Sequence, residues 1–503
     1  MTTAGSIERE IKLGGHPGFT MPPMVDVLPG VRVIERPALD LDATYFDTSD
    51  LRLAREGISL RRRTGDGPMT WTLKLPAGLA SSGLRRFEFD VTSEATEVPA
   101  ELAGLVIGWV RSAPLVAVID IQTQRQGLLL LDEDGSELIE IDDDQVAVRE
   151  SGEIVARFRE IEVELRDGGS ERLLQTVAET IVGAGAGAPD PMPKVVRALG
   201  PRALMPSILR TPSLTAEASI AEALAGAVKT VLVELVSVDT AIRLGSDPDT
   251  IDRARWSARR IRSVLRDVNL LEGSAAVSNL RRELNWYSKE LGALRLNDRL
   301  LGRVRSSIEV VEITEGGDVY SLVARARGEL ASARHSVQSL MSSPRYVALL
   351  DLLVELSDPA VLFPKGSQRG REALVELVRP IWKSARSSAK SLPKRPSTSD
   401  VRDLRRKVVA LCSAVEVAVP LFGARAEEFA DLVAEALGCL EAFLDARFLQ
   451  SWIDERVDRL DESGRVVAAE MVRAQAADAE IALRRWRESW SRCSTRSSMG
   501  WCR

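Results

Sequence analysis

The chain has 503 residues, 45% hydrophobic and 28% charged, with a net charge of −6. That length is enough for at least two hydrophobic cores, and the mild overall acidity conceals local clusters of both signs. No charged n-region followed by an apolar h-region opens the chain, and no uncharged apolar stretch is long enough to span a bilayer, so the expectation is a cytoplasmic protein without a membrane partner. Cys412, Cys439, Cys493 and Cys502 show no close pairing, which argues against a zinc site or a disulfide framework; Cys412 and Cys439 read as buried hydrophobes.

The first predicted strand, Ile7-Glu8-Arg9-Glu10-Ile11-Lys12, puts Glu8, Glu10 and Lys12 on one face, because strand side chains alternate. Further strands follow between turn signals at Gly65-Asp66-Gly67 and Asp134-Gly135. Ile58 to Arg63 presents Arg61 and Arg63 on one face, Thr70 to Leu75 supplies Lys74, Arg85 to Phe89 supplies Arg86 with Glu88, and Gln124-Arg125-Gln126 supplies Arg125. Glu160-Ile161-Glu162-Val163-Glu164-Leu165 is a second acidic ladder, with Ile161, Val163 and Leu165 on its other face. Either ladder alone reads as the solvated face of an edge strand. With a basic set between them, the two read as the interior of a closed sheet, where charge of both signs awaits a polyanion and its metal ions.

Residues 6–200 resemble a CYTH domain, the triphosphate tunnel metalloenzyme fold. The resemblance is carried by the ExExK signature at Glu8, Glu10 and Lys12, by Tyr45-Phe46-Asp47-Thr48, by Leu51-Arg52-Leu53 followed by Gly57 to Arg63, by Trp71-Thr72-Leu73-Lys74, and by Glu160 to Glu164. It implies an antiparallel eight-stranded tunnel that binds triphosphate with Mg²⁺ or Mn²⁺ and hydrolyses a terminal phosphoanhydride. Carried over by position, Glu8, Glu10, Glu160, Glu162 and Asp144 would hold metal, with Glu164 on the same face a weaker candidate. Glu8, Glu10, Lys12, Arg61, Arg63 and Lys74 would carry catalysis, and Arg86, Arg125 and Lys194 would bind substrate. Such a site needs arginine forks, cations and hard oxygen donors more than a covalent nucleophile. His16 and His335, the only histidines, stand in no catalytic constellation: one reads as a loop residue, the other as partly exposed on a helix.

Beyond residue 200 the period changes. After a Pro-bearing linker over 201–215, apolar residues recur at three and four positions, predicting helices over 216–244, 248–269, 273–312, 318–340, 344–356, 369–391, 399–420, 424–444 and 446–490, then a flexible tail over 491–503. Ser246-Asp247-Pro248 reads as a cap with an early proline. The fold class is therefore α+β, a β-tunnel followed by an all-α bundle. Arg255, Arg259, Arg262 and Arg266, spaced four, three and four, form a guanidinium stripe on one helix, with further basic residues from Lys383 to Lys407. A solvated face paired with nearby acids is the ordinary reading of such charge.

Residues 216–490 resemble a CHAD domain, on that Arg-rich helix, on Leu291 to Leu300, on Ser343-Pro344-Arg345-Tyr346, and on Leu404-Arg405 with Pro420-Leu421-Phe422-Gly423. The resemblance implies two four-helix bundles around a groove that binds inorganic polyphosphate, here through Arg255, Arg259, Arg262, Arg266 and Arg405. Asp252 and Arg402 stand where the family carries histidines, and Val408-Val409-Ala410 replaces a basic run, so this domain is divergent. The combination implies a metal-dependent triphosphatase acting on triphosphate or a polyphosphate end, with a helical half that binds or localises polyphosphate, in granules for instance. A non-catalytic polyphosphate-targeting protein and an adenylate cyclase are the alternatives. Nucleic acid is not an expected partner, because the basic stripes lack interleaved aromatics.

Overall fold

The structure is a computed structural model that describes residues 6–27, 30–80, 83–245, 248–267, 274–310, 320–363, 369–495 and 498–502. The chain divides into two compact units, Met1–Ile208 and Leu209–Arg503.

The first unit holds β1 (Ser6–Gly15), β2 (Arg32–Glu35), β3 (Leu39–Asp47), β4 (Ser59–Thr64), β5 (Thr70–Ala80), β6 (Gly83–Thr92), α1 (Ala100–Leu105), α2 (Ile107–Val110), β7 (Val116–Leu131), β8 (Glu137–Glu150), β9 (Glu153–Leu165), α3 (Glu171–Gly183) and α4 (Lys194–Leu199). The antiparallel order β7-β3-β4-β5-β6-β1-β9-β8 closes on itself, because the long β7 pairs with β8 on one edge and β3 on the other. The result is an eight-stranded barrel. β2 is an extra strand that pairs with the Leu128–Leu131 part of β7, beyond the part that β3 covers.

The barrel is turned inside out relative to an ordinary core. Alternation sends Ile11, Leu13, Ile139, Ile141, Ile161 and Val163 outward, where they pack under Leu173, Leu174, Val177 and Ile181 of α3. Ser170 caps α3 by accepting a hydrogen bond from the Leu173 N–H. Each of these large side chains contributes up to about 1.5–3 kcal/mol by leaving water. On another wall Leu60, Trp71, Leu73 and Phe89 pack with Leu102, Leu105, Val106 and Val110 from the segment of α1 and α2. With the apolar faces buried outside, the opposite faces of the same strands are left to line the lumen.

α4 lies across the lumen rather than on its wall. Its Val195, Val196 and Leu199 pack with Ala43, Tyr45, Ile119, Ile121, Val146 and Val148. By register these positions of β3, β7 and β8 continue the same inward face as Arg125 and Asp144. An apolar plug therefore follows the charged zone.

In the second unit the helices are α5 (Ile220–Leu244), α6 (Pro248–Asp267), α7 (Ala275–Val310), α8 (Tyr320–Met341), α9 (Pro344–Leu356), α10 (Pro359–Leu362), α11 (Gly370–Ser391), α12 (Thr398–Phe422), α13 (Ala424–Asp454) and α14 (Glu462–Cys493). α5 to α9 pack together, α11 to α14 share one apolar cluster, and α6 contacts α12. Capping boxes at Ser219 with Glu222 and Ser397 with Asp400 start α5 and α12. The anticipated Ser246-Asp247 cap lies outside the described residues. Two expectations are corrected. The break expected near residue 445 is absent, since nothing in Asp445-Ala446-Arg447 interrupts a helix; α13 runs to Asp454, and Asp461 caps α14 by accepting from the Gly464 N–H. The tail expected to be flexible is docked: residues up to 493 complete α14, Met499 and Cys502 are buried, and Trp501 packs its ring against Phe422 and Phe429. Aromatic anchoring of so short a segment leaves no periodic signal.

Asp47 fixes the turn between β3 and β4. Its buried carboxylate accepts from the Thr48, Leu53 and Ala54 N–H groups at 2.6, 2.9 and 2.9 Å, around Leu51 at φ 59° and Gly57 at φ 71°. Asp47→Ala strands three buried donors and should lower stability by about 3 kcal/mol, read as a shifted urea midpoint at unchanged slope.

Candidate active site

The lumen holds a cavity of about 590 Å³. Glu8 and Lys12 of β1, Arg61 and Arg63 of β4, Lys74 of β5, Arg86 of β6, Arg125 of β7, Glu162 of β9 and Lys194 of α4 all line it. Glu10, Asp144 and Glu160 do not reach the cavity surface but are buried directly behind it, each in an ion pair with a lysine that does. Every tunnel residue singled out in the sequence is thus brought to one place. Sequence reasoning missed Arg36, Glu140, Asp142 and Arg166, which also line the cavity. Glu140-Ile141-Asp142-Asp143-Asp144 is a third acidic ladder with the same period of two, so the signal was present. Arg36 and Arg166 flank strands, where no alternation marks them.

The lumen neutralises itself. Lys12 bridges Glu10 at 3.0 Å, Glu160 at 3.7 Å and Glu162. Lys74 donates to both oxygens of Glu8 at 2.7 Å. Arg125 makes a fork to Asp144, 2.7 Å on each arm, and also reaches Asp142 and, at 3.0 Å, Glu162. Lys194 donates to Asp144 at 2.5 Å and lies 3.4 and 3.5 Å from Glu160 and Glu162. Arg36 and Arg166 share Glu140.

The β4 side is different. Arg61 neighbours the Tyr45 hydroxyl, Arg63 reaches Asp66 beyond the strand end, and the Nε of both, with Nη2 of Arg86, is buried without a hydrogen-bond partner. On the acidic walls, one oxygen of Glu10 and both oxygens of Glu160 also lack hydrogen bonds. The unsatisfied groups are of the two kinds that a phosphate chain and a hard cation would satisfy.

Titration follows the pairing. Burial opposes ionisation of Glu162, but Lys12, Lys194 and Arg125 outweigh it and hold the carboxyl well below its ordinary value. Burial likewise opposes Asp144, and Lys194 and Arg125 bring it below its usual range. Burial dominates at Glu160 and raises it. Glu164 is pushed to about 8 by burial and then by Glu8, with Glu10 and Glu88 adding and Lys74 opposing, and Asp142 to about 6, chiefly by burial. Burial would depress Lys12, yet Glu10, Glu162 and Glu160 lift it well above a free lysine. Among the described residues no three Asp, Glu, His or Cys side chains already converge as a metal cage. The all-carboxylate donor set and the unsatisfied oxygens of Glu10 and Glu160 nonetheless fit a hard divalent cation.

In the helical unit a second cavity, about 580 Å³, lies among α6, α7 and α12. Arg259, Arg262, Arg266 and Arg405 line it as anticipated, joined by Arg281, Arg282 and Arg406. Arg255 does not line it. Its guanidinium lies against Gly292, where the missing side chain leaves room, and 3.7 Å from Asp252. Arg402 is exposed, and Val408, Val409 and Ala410 are buried in the bundle. Arg281 and Arg282 were legible only as an adjacent basic pair, without the stripe spacing. His16 and His335 are both exposed.

A family model of the CYTH domain matches residues 8–186 and one of the CHAD domain matches residues 226–454. The chain carries a CYTH domain followed by a CHAD domain. The uncharacterized protein Rv2226 of Mycobacterium tuberculosis is 29% identical over 376 residues, 71% of either chain. Among solved structures, the CHAD domain from the plant Ricinus communis is 19% identical with a TM-score of 0.47, covering 56% of this chain and 95% of its own. HpAC1 from Hippeastrum, a candidate adenylyl cyclase with a dominant triphosphatase activity, is 16% identical with a TM-score of 0.24, covering 39% of this chain and 98% of its own. The barrel is a triphosphate-tunnel-type fold, and its Lys194 lies beyond the segment that the CYTH model matches. No described helix is long and apolar enough to cross a membrane.

Lys12→Met leaves Glu10, Glu160 and Glu162 without their shared cation and should cost about 3–5 kcal/mol at neutral pH. Because Lys12 helps depress Glu162, the stability it adds is present above the unfolded carboxyl pKa of about 4.3 and is lost as pH falls through the lower folded value. The variant's deficit should therefore narrow below about pH 4.3, in urea titrations across pH. A deficit that stays constant with pH would contradict this electrostatic account.

Proposed function

We propose that the CYTH domain is a metal-dependent triphosphatase that hydrolyses inorganic triphosphate or the end of a related polyphosphate. The supporting observation is the complementary dissatisfaction of one lumen, with buried N–H groups of Arg61, Arg63 and Arg86 on one side and buried carboxylate oxygens of Glu10 and Glu160 on the other. A polyphosphate entering the cavity offers oxygens to those guanidinium groups and competes for Lys12, Lys74 and Arg125, which are now held by carboxylates. Phosphoryl transfer depends on such positioning and charge neutralisation, and forked arginine contacts provide both. Glu8, Glu10, Asp144, Glu160 and Glu162 would hold Mg²⁺ or Mn²⁺, which supplies charge neutralisation and a more acidic water. Lys194, buried at the plugged end between Asp144 and the β9 acids, orients those carboxylates and can bind a phosphate oxygen itself. The apolar packing of α4 keeps bulk water from that end.

The CHAD domain binds or localises inorganic polyphosphate in this reading, through the arginine-lined cavity of α6, α7 and α12. The surroundings of Arg262 favour an anion. Burial lowers its affinity for a proton, Arg259, Arg266 and Arg281 lower it further, and it donates to the neutral Asn285. A granule-associated cytoplasmic protein fits that role.

Phosphate release from triphosphate with Mg²⁺ or Mn²⁺ tests the first part. Glu10→Gln and Arg61→Ala should each reduce turnover by at least about a hundredfold with the fold retained, and chelation should abolish it. Undiminished turnover in both variants would refute the site. Arg259→Ala combined with Arg262→Ala should weaken retention on immobilised polyphosphate at unchanged triphosphate turnover; unaltered retention would refute the binding role.

A further inference from the structure

Acids limit how far the basic surface of the CHAD domain extends. In the cavity half-buried Arg262 donates to neutral Asn285, and Arg281 keeps a buried Nε without a partner. At the other side Arg259 and Arg405 both face one carboxylate oxygen of Glu441 on α13, at 3.4 and 3.5 Å. One turn further back on α6 Arg255 keeps a buried Nε without a hydrogen-bond partner, and Asp252 is engaged chiefly by two arginines of α7. Asp252 takes Arg295 at 2.7 Å and Arg299 at 3.0 Å and lies 3.7 Å from Arg255, while Asp445 takes Arg299 again. The stripe thus reads as continuous in the sequence yet is neutralised from inside over half its length. From Arg259 to Arg266 the helix rises only about 10 Å.

We propose that Glu441 is a length-limiting internal counter-ion: it closes the basic cavity at Arg259 and Arg405, so the CHAD domain seats a short run of phosphates and does not thread a long chain along α6. This rests on the polyphosphate reading of the domain. A chain extended past Arg259 would have to displace Glu441 and then Asp252 from partly buried guanidinium groups, regaining only what it removes. Among the described residues neither Arg262 nor Arg281 has a carboxylate within ion-pairing distance.

The test uses the full chain carrying Arg61→Ala, Arg63→Ala and Arg86→Ala, which removes the tunnel groups that reward a phosphate oxygen directly, so that the tunnel neither hydrolyses nor competes for the probe. Affinities for size-fractionated short and long polyphosphates are measured by calorimetry and corrected for the number of overlapping positions on a long chain. The parent should bind both fractions equally. Glu441→Gln, nearly isosteric, should raise long-chain affinity about tenfold and leave short-chain affinity unchanged, the worth of one or two charged contacts. Glu441→Asp, with its carboxylate drawn back, should give a smaller gain in the same direction and guards against a folding defect in the first variant. Arg262→Ala with Arg281→Ala should abolish binding of both fractions. A parent that already prefers long chains, unchanged by either Glu441 variant, overturns the length limit while leaving polyphosphate binding intact. Absence of binding to either fraction in the parent and in Glu441→Gln overturns both.

Discussion

Charge removed from water must find opposite charge, and the first unit is built around that constraint. An ion in a low-dielectric interior costs several kcal/mol unless paired and hydrogen-bonded, so a lumen containing Lys12, Lys74, Arg125 and Lys194 can exist only if carboxylates are interleaved with them. Strand alternation supplies the interleaving at no extra length of chain: one face of β1, β8 and β9 carries the acids, and the other face carries the isoleucines, leucines and valines under α3. The hydrophobic cores then have to lie outside the barrel. Helices and the α1–α2 segment cover its walls because the strands need a dry outer face, and α4 plugs the lumen where the inward positions turn apolar.

Pairing within the lumen also decides how a guest can bind. Lys12, Lys74 and Arg125 already have partners, so under the proposed function an entering polyanion would gain by exchange, taking the cations while carboxylates become available to metal. Exchange of this kind is poorly rewarded by either component alone. Arg61, Arg63 and Arg86 are the exception, since their unsatisfied N–H groups reward an oxygen directly. Under the proposed function the β4 side is therefore where a phosphate chain would be held, with the β1, β8 and β9 acids facing it across the cavity.

Much of this was legible because a strand's period is two and its faces differ. Glu8, Glu10 and Lys12 declared an inward charged face at once, and Glu160 and Glu162 declared another, so the closed sheet followed from the charge pattern before any pairing was known. Arg36 and Arg166 were illegible for the converse reason: they lie just outside strands, and only the fold brings both to Glu140. In the helical unit the periodicity located most elements, but α13 had to be traced through Asp445 and the docked tail depends on Trp501 meeting Phe422 and Phe429. The arginine stripe was the least faithful signal. Spacing along α6 puts Arg255 in line with Arg259, yet Gly292 and Asp252 draw its head away, and no single-helix pattern reveals a neighbour's glycine.

The two units apply one electrostatic rule with opposite emphasis. In the barrel, positive and negative groups alternate across a cavity closed on all sides by strands, so neutrality is local and a guest enters by replacing partners. In the CHAD domain the cavity of Arg262 and Arg281 is left positive, and the acids are held back at Asp252, Glu441 and Asp445, where they engage the arginines behind it. Asp252 accepts from both Arg295 and Arg299, and its charge draws them into a fixed network. A neutral imidazole could not do this, because its one acceptor nitrogen carries a single lone pair and no charge, whereas one anionic oxygen of Asp252 accepts from both guanidinium groups. These acids therefore redistribute the basic surface: charge is withdrawn from one end of α6, and what remains is concentrated at the other.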